Sequence, residues 1–416
     1  MATRVLLISA EYPPMPGGVG DYTALLAKSL TDDGASVAVL TSAMSDPTMN
    51  DAITIFPVVR RWDWRIARIV RDVVKEVRPN VLHLQFQTGM YGMHPAINLL
   101  PGRSPFAHGE LYRYAPESQL RPWFVTTFHD LRPPYLFPKA GFLRGQAMYR
   151  LGRESDAVIA TNRADEESLQ EWNRKTALVP IGSNIPAAAV RDPQAIRARY
   201  GIPADAVLLT TFGLLNQSKG IETAIDALAL LRHGGMDAYL LLIGAGAGVN
   251  DPTNRATESA IGVRSEAVGM TTSIHRTGQL PAEEVAAALA VSDVCVLPYR
   301  DGASPRRGSL LAALAQGIPV VTTTPARGAY DGLPAFRDGE VACCVPTGDA
   351  RAVADAVHTI RGDAALAARL RAGAVAYAAH FAWPTIAAQT LALYETIGVA
   401  AMDKAAAPRI ASGVER

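Results

Sequence analysis

The chain has 416 residues, 49% hydrophobic and 19% charged, with a formal net charge of +1. That length suits two domains of roughly 200 residues each. The composition is globular, not disordered, and the near-zero charge gives no reason to expect nucleic acid or a strongly acidic partner. Three cysteines, Cys295, Cys343 and Cys344, lie in apolar strand-like runs with no CxxC and no paired histidine, and read as buried reduced thiols. The N-terminus enters a strand almost at once and no apolar run is long enough to span a bilayer, so a cytoplasmic protein is expected.

Strand-like runs alternate with helical patterns from end to end, which predicts an α/β fold of parallel sheets covered by helices. The first strand, Val5–Ser9, runs into Pro16-Gly-Gly-Val-Gly20 and a helix with Tyr22, Leu25, Leu26 and Leu30 on one face. Further strands are expected at Val37–Thr41, Val81–Leu84, Phe124–Phe128, Ala157–Ala160 and Ala177–Pro180. His83 lies inside its strand and reads as structural. Arg65–Arg78 carries Ile66, Ile69, Val70, Val73, Val74 and Val77 on one face and basic residues elsewhere, after Trp62 and Trp64. Such a helix either covers the sheet or rests weakly on an anionic membrane, and the β-branched stripe favours the sheet. Leu100–Leu120 reads as a long loop, and Ile185–Arg191 as a Pro/Ala connector that puts the domain boundary near residue 185.

After a helix at Pro193–Tyr200, the strand Leu208–Phe212 runs into Gly213-Leu-Leu-Asn-Gln-Ser-Lys-Gly220 and a second amphipathic helix with Ile221, Ala224, Ile225, Leu228 and Leu231. Strands follow at Tyr239–Ile243, Ser273–Thr277, Val294–Pro298, Val320–Thr323 and Val341–Val345, and the residues from 401 on read as a flexible tail. A strand, a glycine-rich turn and a helix therefore occur twice. Each unit aims backbone N–H groups and a helix N-terminus at one point, which suits phosphate, and two facing units suggest a cleft. The second strand ends in Thr41-Ser42-Ala43 without the carboxylate that a dinucleotide ribose needs, and neither loop has a GKS/T ending. Nicotinamide, flavin and P-loop chemistry are thereby disfavoured.

Nine segments recur in a familiar order. They are Tyr12-Pro-Pro-x-Pro-Gly-Gly-Val-Gly20, Val125-Thr-Thr-Phe-His-Asp130, Ser155-Asp-Ala-Val-Ile-Ala160, Val179-Pro-Ile-Gly-Ser-Asn184 and Phe212-Gly-x5-Lys-Gly220. Then come Leu242-Ile-Gly-Ala-Gly246, Thr277-Gly-Gln-Leu-Pro281, Val291-Ser-Asp-Val-Cys-Val-Leu-Pro298 and Leu311-Ala-Ala-Leu-Ala-Gln-Gly-Ile-Pro-Val-Val321. Together they resemble the retaining glycosyltransferases of the GT-B fold, close to the family 4 (group 1) pattern, over nearly the whole length. The resemblance implies two Rossmann-like domains, an acceptor-side one at 1–185 and a donor-side one at 186–382, with a C-terminal helix at 383–400 crossing back to the first. It implies a nucleotide-sugar donor, transfer to a glycan, lipid-linked or small-molecule acceptor, and no cofactor or metal. A non-catalytic nucleotide- or glycan-binding subunit of a glycan-assembly complex is the alternative, and a nucleotide-sugar epimerase of similar fold a third reading.

The resemblance also implies roles. Lys219 stands where the family's lysine contacts the donor diphosphate, beside Gly213. Gly17, Gly18 and Gly20 match the loop that faces the donor phosphates, with Tyr12, Asp21 and Asp130 on the acceptor side. His129 stands where a histidine contacts the donor sugar. Arg306-Arg307-Gly308-Ser309 precedes a helix, with Ser309 a plausible N-cap and two guanidiniums placed to hold an anion. The sequence departs from the pattern at three positions. The family's two glutamates eight positions apart are Ser304 and Ala312 here, and the arginine after the second glycine turn is Leu214. Arg306 and Arg307 are expected to replace that lost charge, with Ser304, Gly308 and Ser309 also binding the donor, which makes His129, Lys219, Arg306 and Arg307 the expected catalytic set.

Overall fold

The computed structural model describes residues 3–15, 17–45, 52–101, 122–131, 141–188, 190–213, 215–244 and 252–406. Most of the predicted loop at Leu100–Leu120, Pro16, Leu214, part of Leu242–Gly246 and the tail beyond residue 406 lie outside them. The chain divides into two compact units, Met1–Pro180 with Trp383–Arg416, and Ile181–Ala382.

The first unit is built on a seven-stranded parallel sheet, order β3-β2-β1-β4-β5-β6-β7. Its strands are β1 (Arg4–Ile8), β2 (Ser36–Ser42), β3 (Ile53–Val59), β4 (Val81–Phe86), β5 (Trp123–Phe128), β6 (Ala157–Ala160) and β7 (Thr176–Leu178). β3 was not expected, because Pro57 interrupts its run. It forms the sheet edge, where a missing N–H costs least. Helices α1 (Gly18–Asp32), α2 (Ile66–Val77), α3 (Gly141–Glu154) and α4 (Arg163–Trp172) connect the strands. Ile66, Val70 and Val73 of α2 are buried in the core with β1, β2 and β4 residues, so its apolar stripe is used by the sheet and is not offered to lipid. Among the described residues no helix is long and apolar enough to cross a membrane.

The second unit holds a six-stranded parallel sheet, order β10-β9-β8-β11-β12-β13. Its strands are β8 (Val207–Phe212), β9 (Ala238–Ile243), β10 (Ile274–Gly278), β11 (Val294–Leu297), β12 (Val320–Thr323) and β13 (Cys343–Val345). Helices α5 (Pro193–Arg199), α6 (Ile221–His233), α7 (Pro252–Ala267), α8 (Ala282–Ala290), α9 (Gly308–Ala315), α10 (Ala350–Gly362) and α11 (Ala364–Ala379) complete it. Two apolar clusters, one on each face of this sheet, bury the alternating Leu, Val and Ile of its strands.

The last helix, α12 (Trp383–Ala406), rejoins the first unit. Trp383 meets Tyr22 of α1 edge-on at 5.1 Å, and Tyr394 Oη lies 2.6 Å from Nδ1 of the buried His83. The other nitrogen of His83 lies 2.7 Å from Thr127 Oγ1 of β5, so the ring ties β4 to both β5 and α12.

Both sheets reverse strand order once. The first turns between β1 and β4 and the second between β8 and β11. In an open parallel sheet the crevice at the carboxyl ends of the two strands flanking such a reversal is where a ligand fits.

Candidate functional site

In the second unit the loops leaving β8 and β11 come together. β8 runs into Gly213, at φ +126°, where an added Cβ would stand 2.8 Å from Lys219 Nζ. That left-handed φ favours glycine, and a side chain there would also push the lysine end aside. The chain then makes a short turn at Gln217–Lys219, with Asn216 Oδ1 accepting the Ser218 N–H at 3.1 Å. Gly220, at φ +64°, opens α6, and a Cβ there would overlap the Pro298 carbonyl oxygen. The Arg300 N–H donates to the Ser218 carbonyl at 3.1 Å and stitches the two loops together.

Lys219 Nζ donates to Ser309 Oγ at 2.7 Å, and that oxygen is also 2.7 Å from Tyr299 Oη. The fully buried Tyr299 ring carries Lys219 Nζ at 5.2 Å and the Arg307 guanidinium at 4.6 Å. Arg307 also donates to Ser218 Oγ at 3.1 Å and to the Asp301 carboxylate. Burial, and then the charge of Arg307, push the Lys219 ammonium down to about 8. Burial raises the Tyr299 phenol, so it stays protonated, and pushes the nearby Cys295 thiol up to about 12, so it stays a thiol. Two cations, a hydroxyl and the N-terminus of α9 thus converge on one place, which is chemically able to hold an anion.

Ser309 is not the N-cap of α9 that the sequence suggested. The helix starts at Gly308 after Arg307, with no side-chain cap, and the Ser309 hydroxyl is taken by Lys219 and Tyr299 instead. Ser304 is half-buried in the preceding turn, where its carbonyl accepts the Arg307 N–H at 3.1 Å. Ala312 is fully buried in the apolar core, so the position of the pattern's second glutamate is packed, not open to a ligand.

In the first unit the glycine turn packs against the chain's own Glu11. A Cβ on Gly17 would overlap Glu11 Oε2, and one on Gly20 would stand 3.1 Å from the Glu11 carbonyl carbon and the Tyr12 nitrogen. Burial raises the Glu11 carboxyl, the Gly20 N–H pulls it back down, and Asp21 in the first turn of α1 raises it again. Tyr12 is buried and Gly18 is exposed. His129, after β5, is buried with Nε2 3.0 Å from Gln85 Oε1 of β4, and its ring meets Tyr22 at 4.7 Å. Burial holds it neutral, down to about 3, so it offers a hydrogen bond and not a charge. Asp130 accepts from Gln87 Nε2 at 3.3 Å through one oxygen, and its other oxygen is buried with no hydrogen-bond partner among the described residues.

The structure therefore gathers Gly213, Lys219, Arg307 and Ser309 in one cluster, with Arg306 in the turn that enters α9 and Gly308 its first residue. It gathers Gly17, Gly20, Tyr12 and Asp21 around Glu11, and His129 with Gln85 and Tyr22. Tyr299, Ser218, Asp301, Glu11 and Gln85 were not singled out from sequence. The polar run Tyr299-Arg-Asp-Gly302 at a strand's carboxyl end was the signal for two of them.

Residues 206–363 match the family model described as glycosyl transferases group 1, and residues 17–182 match the glycosyl transferase 4-like domain. A phosphatidyl-myo-inositol mannosyltransferase of Mycobacterium leprae is 33% identical over 95% of this chain and 97% of its own. A D-inositol 3-phosphate glycosyltransferase of Catenulispora acidiphila is 26% identical over 91% of each chain. Among solved structures, a sucrose-phosphate synthase of Thermosynechococcus elongatus superposes with a TM-score of 0.68 at 20% identity, covering 96% of this chain and 100% of that one. Anabaena HepE in complex with UDP and glucose gives 0.67 at 17% identity, covering 95% and 100%.

Proposed function

The chain belongs to the group 1, family 4-like glycosyltransferases of the GT-B fold, and on that premise we propose that it moves a sugar from a nucleoside diphosphate sugar to an inositol phosphate or phosphatidylinositol acceptor, with retention at the anomeric carbon. The observation that carries the donor half is the pairing of Lys219 and Arg307 over Tyr299 at the reversal of the second sheet. The acceptor half is supported by relatives whose names specify phosphatidyl-myo-inositol and D-inositol 3-phosphate as the molecules glycosylated.

Cleavage of the anomeric C–O bond moves negative charge onto the departing diphosphate. Lys219, Arg307, the Ser309 hydroxyl and the first amides of α9 meet that charge, which is electrostatic catalysis by groups already in place. Arg307 takes the part of the family arginine whose position is Leu214 here. The diphosphate charge is met by side chains, so no metal is assigned. His129, neutral and paired with Gln85, can give a ligand a hydrogen bond but no charge.

The test is a matrix of UDP-, GDP- and ADP-sugars against inositol phosphates and phosphatidylinositol vesicles, with NMR of the product's anomeric proton. Transfer to an inositol hydroxyl with the donor's anomeric configuration is expected. Transfer only to acceptors without inositol overturns the acceptor, an inverted product overturns retention, and no transfer from any donor overturns the reading.

A further inference from the structure

We propose that Tyr299 is the positioning residue of the phosphate-binding cluster: its ring holds both Lys219 and Arg307, and its hydroxyl turns the Ser309 hydrogen toward the bound diphosphate. The inference rests on the donor-site reading above and deepens it.

Two like charges packed together repel, so an empty site needs something to keep them in place. Lys219 Nζ and the Arg307 guanidinium both lie over the Tyr299 ring, at 5.2 and 4.6 Å from its centre, and the negative π cloud of an aromatic ring attracts both. The ring is itself fixed. It is fully buried, and its backbone carbonyl accepts from Thr323 Oγ1 at 2.9 Å. Asp301 adds a counter-charge on the Arg307 side, where a phosphate oxygen can take its place.

The hydroxyl follows from donor and acceptor arithmetic. An ammonium only donates, so Ser309 Oγ accepts from Lys219. A phenol kept protonated by burial has a hydrogen to give, and Ser309 Oγ at 2.7 Å offers its second lone pair. With both lone pairs filled from inside, the hydrogen of Ser309 remains as a donor for a ligand. Tyr299 thus acts through Ser309 without touching the diphosphate.

Calorimetric titration of the full chain with UDP and GDP tests this, alongside the melting temperature of each ligand-free variant. Tyr299→Phe should bind diphosphate about five- to tenfold more weakly, the loss of one such hydrogen bond, with its ligand-free melting temperature little changed. In a Ser309→Ala background the same substitution should add almost nothing, because its effect runs through that hydroxyl. Tyr299→Leu, which also removes the ring, should cost about thirtyfold or more when compared at its own folded fraction. Parent-like affinity in Tyr299→Phe, or additive effects of Tyr299→Phe and Ser309→Ala, overturns the proposal alone. A parent chain that binds neither diphosphate removes the donor-site reading, and this inference falls with it.

Discussion

Lys219 is charged only under conditions that its surroundings set. Burial and the adjacent Arg307 bring it to about 8, so its ammonium is present below that pH and lost above it. An anionic ligand favours the charged form. Diphosphate affinity should therefore hold steady below pH 8 and fall above it, by up to about tenfold per pH unit, with a proton taken up on binding at the higher pH. Titration between pH 7 and 9.5 checks this, and Lys219→Arg, which does not titrate there, should flatten the decline while binding more weakly because the fork is larger and differently aimed. A decline that persists unchanged in the arginine variant would assign it to another group. Lys219 was legible in the sequence because a lysine before the glycine of a strand–turn–helix unit has a local signature. Tyr299 was not singled out and Ser309 was taken for a helix cap, since their contacts depend on a loop about ninety residues away that only packing brings near.

At the scale of elements, the glycine turns were visible from sequence but the contacts they make within the chain were not. Gly17 and Gly20 suggested a phosphate loop, and the structure gives their space to Glu11 and Tyr12. Gly220 is a stricter case, with φ at +64° and the Pro298 carbonyl where a Cβ would go. Gly220→Ala should lose roughly 1–2 kcal/mol to the left-handed backbone alone. The overlap adds to this by pushing the β11 loop away from α6, so the melting temperature and diphosphate affinity should fall together. Gly308→Ala, in the first turn of α9 with nothing within 4 Å of the new Cβ, should leave stability unchanged or slightly raised. Equal melting temperatures for the two variants would show that the elbow is more tolerant than its geometry implies. The strands themselves were largely legible, because runs such as Val207–Phe212 and Ala238–Ile243 are buried on both faces and read as continuous apolar stretches. β3 escaped because an edge strand tolerates the proline that sequence patterns count against it.

For the whole molecule, the consequential fact is that the chain leaves its first unit, builds the second and returns to finish the first with α12. The return is fastened by polar as well as apolar contacts, chiefly His83 between Tyr394 and Thr127, with His129 nearby. Burial holds both imidazoles neutral, at about 3, against 6.5 for an exposed histidine. Well above pH 6.5 neither the folded nor the unfolded chain is protonated at these sites, and they impose no pH dependence. Below it the unfolded chain takes up protons that the folded one refuses, so stability falls as pH drops from 6.5 toward 3, by up to roughly 1.4 kcal/mol per pH unit for each ring. At pH 5 the loss is roughly 2 kcal/mol per histidine. All five tryptophans, at positions 62, 64, 123, 172 and 383, belong to the first unit, so indole fluorescence follows its urea unfolding selectively. The midpoint should drop between pH 7 and pH 5, and in His129→Gln the accompanying loss of unfolding free energy should be smaller by about 2 kcal/mol, that ring's share. An equal drop in parent and variant would move the acid sensitivity to other groups and leave the histidines as neutral packing.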